Sequence, residues 1–486
     1  MSIKVMSVAA MSVALAGCGA FGPPRDPPRV ASPVQYSVAA QSLTLPDADG
    51  VAQRLSLHAP PLPRWWTEFQ SQALNALVEE ALARSPSLAA AQGTLRAARE
   101  QLKSQIGQSL YPSVEVGVSP NRERALGIPI LPQETFIENI FVAQVQASYT
   151  FDFFGASVLA DRALARQVQE QALQFESTRR ALATNVVVAT INAASLQEQV
   201  DAVTRLAAAS SGQARQTAAR HALGSASRDD VLSAEEDAAN AAATLPALRA
   251  QLLAVRHAQA VLLGRSPDQA PAPLALSSLQ VPESIPVSVP SELLHQRPDI
   301  LAAEAAVRAT ADEAGAATAS MFPSLTLSAS YGRGGFDWST FTSPAGVIWG
   351  VGATLTQPLF HGGALMARRR QYQATYEAAV SQYKQTVLAA FQNVADTLAS
   401  LEEDGHTLAE TRRAADASQA LQRDAESKNR LGAMPLFAVL AAREQVQNAN
   451  VQYVRARAAR LADSAALFDA MGRPEGSVGF TAKLKQ

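Results

Sequence analysis

The chain has 486 residues, with 41 Lys and Arg against 43 Asp and Glu, a formal net charge of −2. That balance provides no basic excess to hold nucleic acid. With 48% hydrophobic and 17% charged residues, the chain is neither disordered nor a polytopic helical membrane protein. Its one cysteine excludes an internal disulfide framework and any Cys-rich metal site.

The N-terminus reads as an export signal. Lys4 supplies the positive charge, and Val5 to Ala16 is an apolar run too short to span a bilayer as a helix, which takes about 20 residues. The run ends in Leu15-Ala16-Gly17-Cys18, which holds the sole cysteine. This resembles the processing box of bacterial lipoproteins. The resemblance implies that residues 1–17 are a removable signal peptide and that Cys18 carries N-palmitoyl and S-diacylglycerol lipid, whose buried methylenes anchor a protein at about 0.8 kcal/mol each. Gly rather than Asp at position 19 implies, by likeness to sorted lipoproteins, the outer membrane of a Gram-negative cell. Residues 18–64 then read as a lipidated extended tether, Pro-rich from Pro23 to Pro33.

Two similar halves follow, 65–280 and 281–475, with a tail at 476–486. Ser109-Leu110-Tyr111-Pro112-Ser113 matches Ser320-Met321-Phe322-Pro323-Ser324, and Gly224, Gly264 and Pro86 match Gly432, Gly472 and Pro298 in the same order and at nearly constant offset. Each half predicts a first helix (roughly 68–107 or 291–320) and a strand of alternating pattern (about 113–118 or 325–331). A loop comes next (119–140 or 333–346), then a second strand (about 141–150 or 347–356). A very long helix starts after Gly155 or Gly362-Gly363 and runs to about Ala222 or Arg430, and a final helix returns over 229–263 or 436–470. A helix of about 66 residues at about 1.5 Å each is roughly 100 Å long, which calls for a coiled coil or a tube. Two shorter helices stacked beside each long one would give a tube wall of even height.

The strands decide the assembly. Each is long enough to cross a bilayer when tilted, with Val, Leu and aromatic positions alternating with Ser, Gly, Thr and Gln. Four strands cannot close a barrel, and open edges cannot face lipid. Eight-stranded barrels are filled by side chains, so a conduit favours twelve strands and hence a trimer.

At this point the chain resembles the outer-membrane factor family, the TolC-like exit ducts of tripartite efflux pumps, and within it the NodT/OprM-type lipoproteins. The marks are the lipoprotein box, Trp65-Trp66, His295-Gln296-Arg297-Pro298-Asp299-Ile300, the paired Pro-Ser strand entries, and Thr356-Gln357-Pro358-Leu359-Phe360 with Gly362-Gly363. The resemblance implies a mainly α fold with a membrane β-barrel: four strands per chain in a shared 12-stranded barrel, above a long-helix periplasmic α-barrel. It implies a passive homotrimer in outer-membrane lipid. Its partners would be a periplasmic adaptor (membrane fusion) protein and, through it, an inner-membrane transporter of the RND type. The adaptor would touch two helix-turn-helix tips, Leu223-Gly224-Ser225 and Leu431-Gly432-Ala433. Relatives close the pore near the second tip with Tyr, Leu and Asp; here the aligned residues are Asn429, Phe437 and Ala441. Candidate gate residues are therefore Phe437, as an apolar ring, and Asp229 and Asp230, as an acidic ring or as first-turn helix caps. A type I protein-secretion duct and a structural envelope lipoprotein without a pore are the rival readings.

Enzymatic chemistry is not expected. His58, His221, His257, His295, His361 and His406 show no metal-binding spacing, and no P-loop occurs. No cofactor is expected beyond the lipid on Cys18.

Overall fold

The computed structural model describes residues 21–36, 44–46, 50–51, 53–57, 62–126 and 135–472. The signal segment 1–17, Cys18 and the tail 476–486 lie outside the described residues. Strands are β1 (Arg54–Leu57), β2 (Ser113–Leu126), β3 (Thr135–Phe151), β4 (Ser284–Val287), β5 (Ser324–Gly335) and β6 (Val347–Thr356). The main helices are α1 (Gln72–Arg84), α2 (Pro86–Leu110), α3 (Ala156–Ala222), α4 (Arg228–Ala243), α5 (Leu245–Leu262), α6 (Pro298–Ala319), α7 (Ala364–Arg430) and α8 (Leu436–Ala470). Both long helices, α3 and α7, run 67 residues without a break. Their ends, and those of α5 and α8, are offset by one value (430 − 222 = 470 − 262 = 208), so the repeat can be read residue by residue through these helices.

Several expected boundaries move. The single first helix over 68–107 is two helices, because Pro86 cannot donate a backbone hydrogen bond and restarts the chain as the first residue of α2. Pro246 divides the return helix of the first half into α4 and α5 in the same way. In the second half the first helix begins at Pro298, after a single turn at Pro290–Leu293. The segment 119–140 is not all loop. β2 and β3 stay paired from Ser113↔Ser148 out to Leu126↔Thr135, because antiparallel backbone pairing continues through the polar run Asn121-Arg122-Glu123-Arg124. β5 likewise extends to Gly335, and a one-turn helix, Trp338–Thr342, is capped by the Asp337 carboxylate on the Thr340 N–H at 2.7 Å.

Contacts group the chain into two compact units: 1–29, 94–171 and 302–384 in one, and 30–93, 172–301 and 385–486 in the other. Each unit takes pieces from both halves, so the boundary near 280 separates the repeats but not the compact bodies.

The first unit is built on a four-stranded antiparallel sheet in the order β2-β3-β5-β6. Asp152 turns β3 into α3: its carboxylate accepts from the Ala156 N–H at 2.7 Å and the Val158 N–H at 3.0 Å. Beside that turn the tether is fastened. Phe21 packs edge-on to Phe322 at 4.9 Å, and Phe154 stacks on Phe322 at 4.9 Å. Gly22 lies against Ala311 and Gly315, where a Cβ would come within 3.1 Å of the Ala311 oxygen. Arg25 Nε reaches the nearly buried Asp312 carboxylate at 2.8 Å.

The second unit holds a small parallel sheet, β1 beside β4, in register from Arg54↔Ser284 to Leu57↔Val287. Its core explains the Trp-Trp mark: Trp65 is 1% exposed and stacks on Phe468 at 5.6 Å. It also explains the His-Gln-Arg-Pro-Asp-Ile mark. Arg297 grips Asp299 through two nitrogens at 2.7 and 3.0 Å and donates a third bond to the Ala470 carbonyl that ends α8. Arg180 donates to the neighbouring Phe468 and Asp469 carbonyls. These motif residues therefore fasten helix ends.

Candidate functional site

The sheet has two chemically opposite faces, fixed by its register. One row across it reads Val114, Ala147, Ala329, Val351; the next on that face reads Val116, Val145, Tyr331, Trp349. The intervening row, on the other face, reads Glu115, Gln146, Ser330, Gly350. The apolar face stands uncovered, with Val116 76% and Val351 79% exposed. An uncovered apolar sheet face of this size needs a non-aqueous neighbour. Its height is right for lipid. On β3, Phe141, packed against Trp338 and Phe341, marks one end, and Phe151, packed against Phe153, marks the other. The ten residue steps from one to the other, at about 3.3 Å each and tilted about 40°, give an apolar band of roughly 25 Å between aromatic girdles. No helix among the described residues is long and apolar enough to cross a membrane. Among the described residues, the sheet's outer strands β2 and β6 pair on one side only.

The tips close by one backbone device used twice. Gly224 and Gly432 both adopt left-handed φ, +75° and +73°. The Gly224 N–H donates to the His221 carbonyl at 2.8 Å and the Ser225 N–H to the Arg220 carbonyl at 2.9 Å. In the second tip Gly432 donates to Asn429 and Ala433 to Lys428, both at 2.9 Å. Even the side-chain lock repeats. His221 Nδ1 meets the Ala226 carbonyl at 2.8 Å, and Asn429 Nδ2 donates to the Met434 carbonyl at 2.7 Å. Asn429, at the aligned gate position, is thus spent on closing its own turn. Leu223 and Leu431 are left exposed.

The gate candidates stand just past these turns. Asp230 forms a reciprocal cap with Ser227: its N–H donates to Ser227 Oγ at 3.0 Å, and its carboxylate accepts from the Ser227 N–H at 2.8 Å. Those bonds hold its carboxyl below the usual range. Asp229 is exposed and occupies the position that Phe437, 71% exposed, takes in the second tip, 208 residues on. The two candidates are therefore one structural position filled by an acid in one repeat and an aromatic in the other.

One constellation escaped the sequence reading. Asp404 on α7 lies against Arg460 and Asp463 on α8. Burial, then Asp463, push the Asp404 carboxyl up to about 7, and burial pulls the Arg460 guanidinium down to about 10. The signal was available in the repeat, because the first-half counterparts are Leu196, Leu252 and Val255. No group of side chains able to hold a metal ion occurs among the described residues.

Likeness to known proteins agrees with this geometry. The model of the outer membrane efflux protein family matches residues 77–265 and 289–473, one stretch in each half. The pyoverdine export outer membrane protein OpmQ of Pseudomonas aeruginosa is 29% identical over 482 residues, covering 97% of both chains. The toluene efflux pump outer membrane protein TtgF of Pseudomonas putida is 27% identical over 473 residues, covering 95% of each. Among solved structures, the outer-membrane channel OprN superposes with a TM-score of 0.79 at 24% identity, over 93% of this chain and 99% of that one. The Campylobacter jejuni outer-membrane channel CmeC gives 0.83 at 20%, over 93% and 94%. An amphipathic membrane sheet joined to paired long helices defines an outer-membrane channel protein with a TolC-like fold. The chain belongs to the outer membrane efflux protein family. It is the outer-membrane channel component of a tripartite efflux pump, seated in a Gram-negative outer membrane and extending into the periplasm.

Proposed function

We propose that three copies of this chain close one 12-stranded barrel and form a passive exit duct for small molecules. The observation that carries this reading is the pair of half-satisfied strands, β2 and β6, at the edges of a sheet whose apolar face suits lipid. Backbone groups on such edges cannot be left unpaired in hydrocarbon. Joining β2 of one copy to β6 of the next satisfies both. The polar row of Glu115, Gln146 and Ser330 then lines the conduit.

The lipid reading of Cys18 has support from the tether. Phe21, three residues on, packs beside Phe154 and Phe322, which flank the membrane-facing strands β3 and β5. Acyl chains on Cys18 would thus start close to the apolar band and reinforce insertion. The exposed leucines of two rigid tips suit docking by an adaptor's helical hairpins, with an RND-type inner-membrane transporter supplying the energy. Export of pyoverdine and of toluene by relatives' systems favours small-molecule cargo selected by the pump. In this reading Asp229, with Asp230, forms an acidic ring near the tip and Phe437 an apolar one.

Reconstitution into planar bilayers tests the duct. Wild-type protein should give discrete cation-preferring conductance steps without any nucleotide. The Asp229→Ala/Asp230→Ala protein should lose that preference while still forming pores. Absence of conductance in the wild type would refute the duct, and unchanged selectivity in the variant would refute the acidic ring.

A further inference from the structure

Duplication put one place in the molecule to two uses. In the first repeat, Leu196 on α3 and Val255 on α5 pack with Leu252, Ala193, Val200 and Leu248 in a small apolar cluster. In the second repeat, the positions 208 residues on from Leu196, Leu252 and Val255 are Asp404, Arg460 and Asp463. Arg460 is fully buried, and none of its three guanidinium nitrogens has a hydrogen-bond partner. The Asp404 and Asp463 carboxyls lie beside it and beside each other, and Asp404 Oδ2 is buried with no hydrogen-bond partner. Two carboxylates this close cannot both ionise without strong repulsion, so the pair favours one shared proton. Buried charge of this kind is usually less stable than an apolar replacement of equal volume, and here the apolar solution stands in the sister repeat.

We propose that Asp404, Asp463 and Arg460 form a single-proton binding site that ties α7 to α8 in the second repeat and has no counterpart in the first. The charges close only with one proton present. Arg460 contributes +1, one aspartate −1, and the other aspartate is neutral. Loss of the proton leaves a net negative charge on the half-buried carboxyls, and a second proton leaves a net positive one. Among the described residues, the charged groups acting on each member are the other two. Of the described residues in the neighbouring segment, Gln53 donates through Nε2 to Ser464 Oγ at 3.1 Å, and Pro46 lies on Gly405. The site shares no residue with the tips or the sheet, and it does not depend on how many copies share the barrel.

The linkage has a definite sign. An aspartate of ordinary value 3.8 is raised to about 7 in the folded chain. Between those values the folded state holds a proton that the unfolded state has lost. Stability therefore falls as pH rises through that window and levels off above it.

The test uses full-length protein in detergent, with thermal melts from pH 5 to 8 and infrared detection of protonated carboxyl groups. Asp404→Asn keeps a hydrogen-bond donor toward Asp463 but cannot titrate. The wild-type melting temperature should fall across the window, and the variant should lose at least half of that slope. The wild-type minus variant infrared spectrum at pH 6 should contain a protonated-carboxyl band. The subtraction removes Glu170, Asp312, Glu313 and Asp469, whose carboxyls burial also raises. Should Asp404→Asn fail to fold, Asp463→Asn serves the same comparison. An unchanged slope, or no such band, would overturn the proposal. So would restoration of the melting temperature at pH 8 by Mg²⁺, which would make the pocket a metal site.

Discussion

The two repeats share a backbone and differ in how they use it. Their long helices have equal length, their tips turn through glycines at the same left-handed angle, and Val231 and Val439 are buried at matching places after the turns. The side chains diverge where the backbone does not need them. Ser227 caps α4 through its hydroxyl, whereas Pro435 precedes α8 with no side-chain cap. Asp229 faces solvent where Phe437 does in the other half, and an apolar cluster stands where the other half places a buried Arg460 with the half-buried Asp404 and Asp463. A duplicated hairpin is thus preserved by its turn and its spacing, while its interior and its rim are free to specialise.

That contrast can be broken most severely by importing a charge without its partners. Leu252→Arg places a guanidinium where the first repeat has no carboxylates, so it should cost about 3–5 kcal/mol and sharply lower the melting temperature and yield. The reverse exchange, Asp404→Leu with Arg460→Leu and Asp463→Val, copies the first repeat into the second. It should be neutral or gain about 1–4 kcal/mol, and it should flatten the melt between pH 5 and 8. A stability loss comparable to that of Leu252→Arg would show that the two seams are not equivalent. The smallest effect concerns what the repeats share. Gly224→Ala and Gly432→Ala meet no nearby atoms but must hold a left-handed backbone, so each should cost about 1–2 kcal/mol. The cost should appear as faster amide exchange at Ser225 or Ala433, equal in the two tips within error. A marked inequality would mean that one tip is braced by contacts the other lacks.

How far the sequence could be read followed from the physics of each element. The long helices were legible to the residue because they carry few breakers and are bounded by Gly155, Gly224, Gly363 and Gly432. The membrane face was legible because period-two alternation survives in all four strands. The outer reach of β2 and β3 was not, since Asn121 to Arg124 are a polar run beyond the apolar band, held by backbone pairing and an Arg124–Thr135 side-chain bond rather than by apolar alternation. Nor was the break at Ser85–Pro86, where proline starts a helix as readily as it ends one. The tip glycines were visible as turns, but the His221 and Asn429 locks depend on side-chain geometry. The triad had been hidden because Asp404 lies 56 and 59 residues from Arg460 and Asp463, on another helix, and the three look like a solvated face until the repeats are laid over one another.

Everything functional rests on strands that one chain leaves half paired. Native mass spectrometry of the detergent-purified protein measures this directly. Particles of three chains are expected, persisting when detergent and concentration are varied. A single chain per particle, stable on its own in detergent, would contradict the shared barrel.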